Sequence, residues 1–256
     1  MEATYKNAPI SFTSQGTENP LVLLHGFLES KTIWQDFALE LSAKRQVICI
    51  DLPGHGESGN FAEVHTMADM AQAVKSVLDE LDIQQASFAG HSMGGYVSLE
   101  FQNIFPTILK SLVLVNSTPQ ADSEERKANR DRAATLVLKN KRAFVSMAMS
   151  NLLTPENNKI FKSQIDILKK RALQFSSTGI YAAIKGMKIR TDHTELFAKF
   201  QGQKIVVAGK NDPVLKYNTI KNLAKRCNSK FYSLPDGHLS FLENQTELRE
   251  ILHLID

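Results

Sequence analysis

Gly90-His91-Ser92-Met93-Gly94-Gly95 stands between a short apolar run, Ser87–Ala89, and a helical pattern from Gly94 to Phe105 that Pro106 ends. A serine between spaced glycines, entered from a strand and left through a helix, belongs on a very sharp turn with its hydroxyl beyond the sheet edge. Such a turn tolerates strain at one residue only where the neighbours are small. Gly90 and Gly94 would let strand and helix pass close together. A glycine-rich turn with an incidental serine reads the same way in isolation, so the rest of the chain must supply the partners.

Outward from this turn, Leu21–Leu24, Val47–Ile50, Leu112–Val115 and Ile205–Ala208 are further short runs rich in Val, Ile and Leu. Such runs suit strands covered on both faces, as in a parallel sheet. Lys230–Leu234 is a weaker candidate, and Ile10–Thr13 reads as part of a small antiparallel edge. Between the runs, Thr66–Leu81 places Met67, Met70, Val74, Val77 and Leu81 at helical spacing. Strands alternating with helices imply an α/β fold with a mostly parallel, doubly wound sheet.

The alternation stops between Pro119 and Phe200, where only helix signals occur. Ser123 can cap a helix running to Lys139, Thr154-Pro155-Glu156 is a helix start with Pro at the first position, and Ser177-Thr178-Gly179 opens another. The expectation is a core domain, 1–118 and 201–256, carrying an all-helical cap insertion, 119–200. Leu136, Val137, Phe144, Met147, Met149, Leu152 and Leu153 supply apolar positions there, most to pack between helices and some to face the serine. An apolar lid of this kind would exclude water and select a compact acyl or alkyl group.

A serine hydroxyl needs a base, and the base needs an orienting acid. Of seven histidines, His238 lies in Leu234-Pro235-Asp236-Gly237-His238, directly after the last expected strand. Asp212 lies in Gly209-Lys210-Asn211-Asp212-Pro213, again directly after a strand. Singly, Asp212 reads as a turn or helix cap and His238 as a loop histidine. Together, Ser92, Asp212 and His238 follow the chain order and strand-end placement of a catalytic triad. Attack on a carbonyl creates an oxyanion, and pre-placed N–H groups must hold it. The backbone N–H groups of Met93, at the helix start, and of Phe27, in His25-Gly26-Phe27, are the candidates. His25 reads as an anchor of that loop. Trp34, the only tryptophan, follows the loop and is a pocket candidate as well as a core candidate.

The 256 residues suffice for one α/β domain with an insertion, and 43% hydrophobic with 22% charged residues is ordinary for a globular chain. A net charge of +3 provides no electrostatic case for nucleic acid or an anionic membrane. Met1–Asn7 shows no secretory pattern, and the apolar runs are too short to span a bilayer. Cys49 and Cys227 are the two cysteines; Cys49 reads as a small buried hydrophobe, and a cytoplasmic location is expected. No metal-spacing cluster or dinucleotide fingerprint is present, so the expected reaction uses no metal and no organic cofactor, and the expected partner is a small-molecule substrate.

His25-Gly26-Phe27, Asp51-Leu52-Pro53-Gly54-His55-Gly56-Glu57-Ser58, the Gly90–Gly95 turn, Gly209–Pro213 and Gly237-His238 together resemble the α/β-hydrolase superfamily over nearly the whole chain. The resemblance implies a serine-nucleophile fold with the roles given above for Ser92, Asp212, His238, Phe27 and Met93. It also implies that Asp51 and His55 shape a loop beside the site. Serine at 92 separates the chain from members with an aspartate nucleophile, such as haloalkane dehalogenases and epoxide hydrolases. Some members take their acid from the preceding strand end; here that segment reads Val115-Asn116-Ser117, without a carboxylate, which favours Asp212.

The first functional reading is a hydrolase of a small carboxylic ester, lactone or thioester. A second is a lyase or synthase on the same fold, similar to the menaquinone-pathway enzyme that eliminates pyruvate and holds anionic groups with cap arginines. Arg126, Arg130 and Arg132 lie in a comparable place, with Arg130 the pocket candidate, although a solvated helix face accounts for them equally well. A third is a non-enzymatic receptor on a hydrolase scaffold, which catalytic turnover would separate from the other two.

Overall fold

The computed structural model of the chain describes residues 1–255. Its centre is an eight-stranded sheet: β1 (Glu2–Tyr5), β2 (Ala8–Gln15), β3 (Leu21–Leu24), β4 (Val47–Ile50), β5 (Ala86–His91), β6 (Leu109–Val115), β7 (Gln203–Gly209) and β8 (Lys230–Leu234). The spatial order is β1-β2-β4-β3-β5-β6-β7-β8. β1 and β2 pair antiparallel at one edge; β4 to β8 and β3 run parallel. The antiparallel edge is larger than Ile10–Thr13 suggested, because β1 is a short, half-exposed strand with little apolar signature. β8, the other edge, explains its weak signal similarly: only Leu234 of its residues is buried.

Helices cover both faces. α2 (Met67–Glu80), α3 (Met93–Ile104) and α10 (Tyr217–Arg226) bury Met70, Val74, Val97 and Ile220 against Val22, Phe88 and Leu112. α1 (Gln35–Leu41), α11 (Ser240–Glu243) and α12 (Gln245–His253) bury Phe37, Leu41 and Leu248 against Leu21, Val47 and Val113 on the opposite face. Each such side chain contributes about 1.5–3 kcal/mol of burial before entropy is counted. Thr66 caps α2 by accepting the Asp69 N–H, which is why the helix starts where the spacing predicts.

Between β6 and β7 the chain forms α4 (Glu124–Lys139), α5 (Lys141–Ser150), α6 (Pro155–Ile160), α7 (Lys162–Ala172), α8 (Ser177–Lys188) and α9 (Thr194–Lys199). Ser123 and Thr154 are the N-caps of α4 and α6, as their sequence context suggests; α8 is capped by Ser176, one residue earlier than expected. Val137, Phe144, Met149 and Ile184 from these helices join the same apolar cluster as α1 and α12. Met147 departs from the expected apolar face and is exposed. Cys49 and Cys227 are buried free thiols, and burial pushes Cys49 up to about 12. No helix among the described residues is long and apolar enough to cross a membrane.

Candidate active site

The sheet order reverses direction between β3 and β5, and open α/β sheets place their ligand crevices beyond the carboxyl ends of strands at such a point. β5 ends at His91, and Ser92 takes the turn with φ 49 and ψ −111 before α3 begins at Met93. A positive φ is costly for a side-chain-bearing residue and persists only where the surroundings impose it. Here they do. The Ser92 N–H donates to Val115 O at 2.9 Å, and the Ser92 carbonyl accepts from Ser117 Oγ at 2.8 Å. A Cβ on Gly90 would lie 2.4 Å from the Gly94 backbone, and one on Gly94 would lie 2.5 Å from Leu24 O. The glycines of the motif are therefore required by close passage of strand and helix.

The three residues expected to act together do meet. Ser92 Oγ is 3.0 Å from His238 Nε2, and His238 Nδ1 is 2.8 Å from Asp212 Oδ2. Asp212 follows β7 and His238 follows β8, so each loop leaves the sheet at the same end as the serine. Asp212 Oδ1 accepts the N–H groups of Val214 (2.7 Å) and Leu215 (2.9 Å), and Oδ2 also accepts Asn116 Nδ2–H at 3.1 Å. Burial alone would raise its pKa, but the facing His238 and these donors outweigh it and hold the carboxyl below the ordinary value. An ionised carboxylate only accepts, so His238 carries its proton on Nδ1 and leaves Nε2 to accept from the serine hydroxyl.

Asn116, in the position where other members carry their acid, was not singled out from the sequence. It bonds Asp212 and also donates to Gly237 O at 3.0 Å, while its Oδ1 accepts Ser240 Oγ at 2.6 Å. One amide thus ties the Asp212 loop to the His238 loop. Its backbone is left-handed, φ 45, a region Asn tolerates well.

β3 and β5 are paired with Leu24 opposite Gly90, so Phe27 and Met93 emerge three residues further on at the same sheet edge. Met93 is the first residue of α3, where N–H groups have no partner within the helix. His25 anchors the Phe27 loop as expected: Nε2 accepts the Leu52 N–H at 2.9 Å, and Nδ1 donates to Gly26 O at 2.7 Å. His55 packs edge-on against Phe27, with ring centroids 5.8 Å apart, and Asp51 holds Lys31 at 2.6 Å. Burial pushes His55 down to about 3, so it stays neutral.

Ser92 and His238 open onto a cavity of about 1020 Å³. That is larger than the compact pocket expected from the apolar helices and matches the upper range of small-molecule sites. Phe27, Phe144, Ala148, Leu152 and Ile184 supply apolar lining; Gln120, Asp122, Arg126, Asn129 and Arg130 supply polar lining. Trp34 does not line it, contrary to one of the two readings of that residue. Its short 3-10 turn leads into α1, and the indole is wholly buried against Phe37 and Phe241, at 5.5 and 6.5 Å between centroids. Arg130 does line it, with Nε 3.0 Å from the buried Asp122; Arg126 and Arg190 reach the same carboxylate at 3.2 and 2.7 Å. Burial opposes the Asp122 charge, and Arg130 and Arg190 more than offset it, keeping its pKa low. Arg190, missed in the sequence, also lies 4.0 Å over the Tyr96 ring. Arg132 is exposed and does not line the cavity; it donates to Asn129, which does.

The family described as alpha/beta hydrolase fold matches residues 19–245, and the chain belongs to it. An esterase from Thermogutta terrifontis, solved with malate bound, superposes with a TM-score of 0.91 at 28% identity, covering 96% of this chain and 92% of that one. The enol-lactonase from Burkholderia xenovorans LB400 superposes equally well, TM-score 0.91, over 99% and 98% of the two chains; at 17% identity this is a likeness of fold. The dihydrolipoyllysine-residue acetyltransferase component of an acetoin cleaving system from Pseudomonas putida is 44% identical over 98 residues, 38% of this chain and 26% of that protein. The chain's matches span from about a quarter to two fifths of the first curated relatives' length, 26% to 39%.

Proposed function

We propose that the protein cleaves a small carboxylic ester, lactone or thioester through an acyl-enzyme on Ser92, without metal or organic cofactor. The observation that carries the reading is the unbroken chain from Ser92 Oγ through His238 to Asp212, at 3.0 and 2.8 Å, with both proton positions fixed by the acceptors. His238 takes the Ser92 proton as Oγ attacks the carbonyl carbon, and Asp212 stabilises the imidazolium. The Phe27 and Met93 N–H groups receive the oxyanion. His238 returns the proton to the leaving alcohol or thiol. Water, deprotonated by the same imidazole, then releases the acid and restores Ser92. The imidazole must be neutral to start, so the triad by itself gives one acid limb, along which activity rises with pH.

This reading divides the chain into a catalytic core, 1–118 and 201–256, and a helical cap, 119–200. The cavity volume accommodates both halves of an ester, and Arg126 and Arg130 in its wall suit a substrate with a polar or anionic group away from the scissile bond. The malate held by the Thermogutta esterase is a dicarboxylate, in keeping with that preference. The pyruvate-eliminating alternative draws on the same Arg126 and Arg130, which share Asp122 under either reading, so product analysis separates the two. Purified protein assayed on esters, lactones and thioesters of graded acyl length tests the reaction. Ser92→Ala is expected to remove turnover and labelling by a fluorophosphonate while remaining folded; undiminished labelling of that variant would refute the nucleophile.

A further inference from the structure

We infer that His91 is held doubly protonated between Glu29 and the carbonyl of His238, and that this buried relay positions the base against the oxyanion loop. The inference rests on the triad reading of Ser92, Asp212 and His238 for its consequence, though not for its protonation. His91 Nδ1 is 2.9 Å from Glu29 Oε2, and Nε2 is 2.9 Å from His238 O. The side chains of His91 and Glu29 are each 1% exposed. A neutral imidazole has one N–H. Beside an ionised Glu29, a single ring proton would leave a lone pair facing an oxygen at hydrogen-bond distance, away from bulk water, and that contact is repulsive. Two protons satisfy both contacts, and the Glu29 carboxylate balances the charge.

The same Glu29 oxygen accepts the Gly26 N–H at 2.6 Å. The chain Gly26 N–H, Glu29, His91, His238 C=O therefore spans three separate segments. These are the loop carrying Phe27, the turn carrying Ser92, and the loop carrying the base. A Cβ at Gly26 would fall 2.7 Å from His91 Nδ1 and 2.8 Å from Glu29 Oε2, so the closeness of the relay itself requires glycine there. Glu29 and His91 are positioning residues: they fix the backbones from which the base and the Phe27 N–H project.

Charged and titratable groups face His91 from several elements. Glu29 and His25 face His91 from the loop after β3, Asp212 from the loop after β7, and His238 from the loop after β8, its ring centroid 5.3 Å away. Burial works to lower the His91 pKa; the Glu29 contact, the His238 carbonyl and Asp212 outweigh it, and the net shift is upward. A raised pKa holds the second proton to higher pH than an ordinary histidine would and releases it as pH climbs through the folded value, so this contribution to order is lost on the alkaline side.

The experiment uses full-length protein with nitrogen-15 histidine, the His91 signals being assigned by comparison with His91→Gln. Both His91 ring nitrogens are expected to carry protons at pH 7, with one leaving at alkaline pH; a bare Nδ1 or Nε2 at pH 7 overturns the inference. That measurement needs no turnover, so it stands apart from failure of the esterase reading. In parallel, Glu29→Gln is assayed on p-nitrophenyl butyrate, with thermal melting as a check on folding. Its kcat is expected to fall roughly tenfold to a hundredfold with KM within about twofold, since a misplaced base costs the chemical step. Its alkaline limb is expected to move to lower pH by about one unit or more, since the carboxylate no longer supports the imidazolium. An unchanged kcat, a loss confined to KM, or an unmoved alkaline limb would show that the pair only packs the core.

Discussion

On the sheet side of the cavity, the polar atoms of Asp212, His238 and Asn116 are committed to named partners, and Ser92 is held at φ 49 by bonds to Val115 and Ser117. On the helical side, three guanidinium groups share one buried carboxylate, Asp122, and the remaining lining is loosely polar or apolar. The difference reflects what each side must accomplish. Bond making fails when reacting groups are misplaced by about 1 Å, so the sheet side is over-determined. Selecting a substrate needs only a surface of suitable shape and charge, which many side-chain sets provide.

The hardest way to strain this contrast is to break the sheet side. Asp212→Asn keeps shape but removes the charge that orients His238, and turnover is expected to fall by about four orders of magnitude. His238→Ala is expected to cost a similar amount, and the double variant little more, because the triad works as a unit. Asp212 also has a lowered pKa, so its contribution to stability is present above the unfolded carboxyl value and disappears as pH falls through the folded one. Acid unfolding followed by circular dichroism is expected to show a shallower pH dependence in Asp212→Asn. Near-normal turnover of that variant would mean that another group is the acid.

Asn116→Ala tests whether the sheet side depends on its supports. The substitution removes a donor from Asp212 and from Gly237 O and leaves Ser240 Oγ without its acceptor. A stability loss of about 1–3 kcal/mol is expected from denaturant unfolding. Turnover is expected to fall by roughly tenfold, well short of the loss in Asp212→Asn. Equal losses in the two variants would make Asn116 a member of the reacting set.

The same contrast governs how much of the molecule is legible in the sequence. β3, β4 and β7 are buried on both faces, and their runs of Leu, Val and Ile reflect that. The turn at Ser92 has its glycines dictated by close passage, since a Cβ at Gly90 or Gly94 would fall 2.4–2.5 Å from neighbouring backbone, so its pattern survives as a motif. Asp212 and His238 stand out because strand ends bring remote loops together. Glu29 and Asn116 were not legible in this way: each acts through partners 62 and 96 positions away, which no local pattern records. The opposite outcome for Trp34 has the same origin, since position after the Phe27 loop says nothing about which way a 3-10 turn faces. The roof shows local caps such as Ser123 and Thr154 but not how its helices sit over Ser92, because tertiary packing sets that.

Arg130→Met addresses the roof directly. The buried Asp122 keeps Arg126 and Arg190, so the fold is expected to hold. For an ester carrying a carboxylate beyond the scissile bond, KM is expected to rise about tenfold with kcat little changed, the pattern of lost uniform binding. A neutral ester of the same length is expected to be unaffected. Equal effects on both substrates would assign Arg130 to holding Asp122 and not to substrate.

The smallest effect is expected where the helical side meets the Phe27 loop. Phe144 on α5 lies edge-on to Phe27, with ring centroids 6.2 Å apart, and both line the cavity. Replacing Phe144 with Ala removes one wall without touching the triad. A methylene group gains about 0.8 kcal/mol on burial, roughly a fourfold change in kcat/KM per carbon at most. The wild-type profile from acetyl to palmitoyl esters is expected to peak at short acyl groups and then fall, if the Phe27–Phe144 pair in the cavity wall bounds the acyl side. In Phe144→Ala the peak is expected to move to longer chains by a few-fold in kcat/KM. A wild-type rate that climbs to palmitoyl and jumps once micelles form would mean that the roof opens at a lipid surface, and the aromatic pair would then not set acyl length.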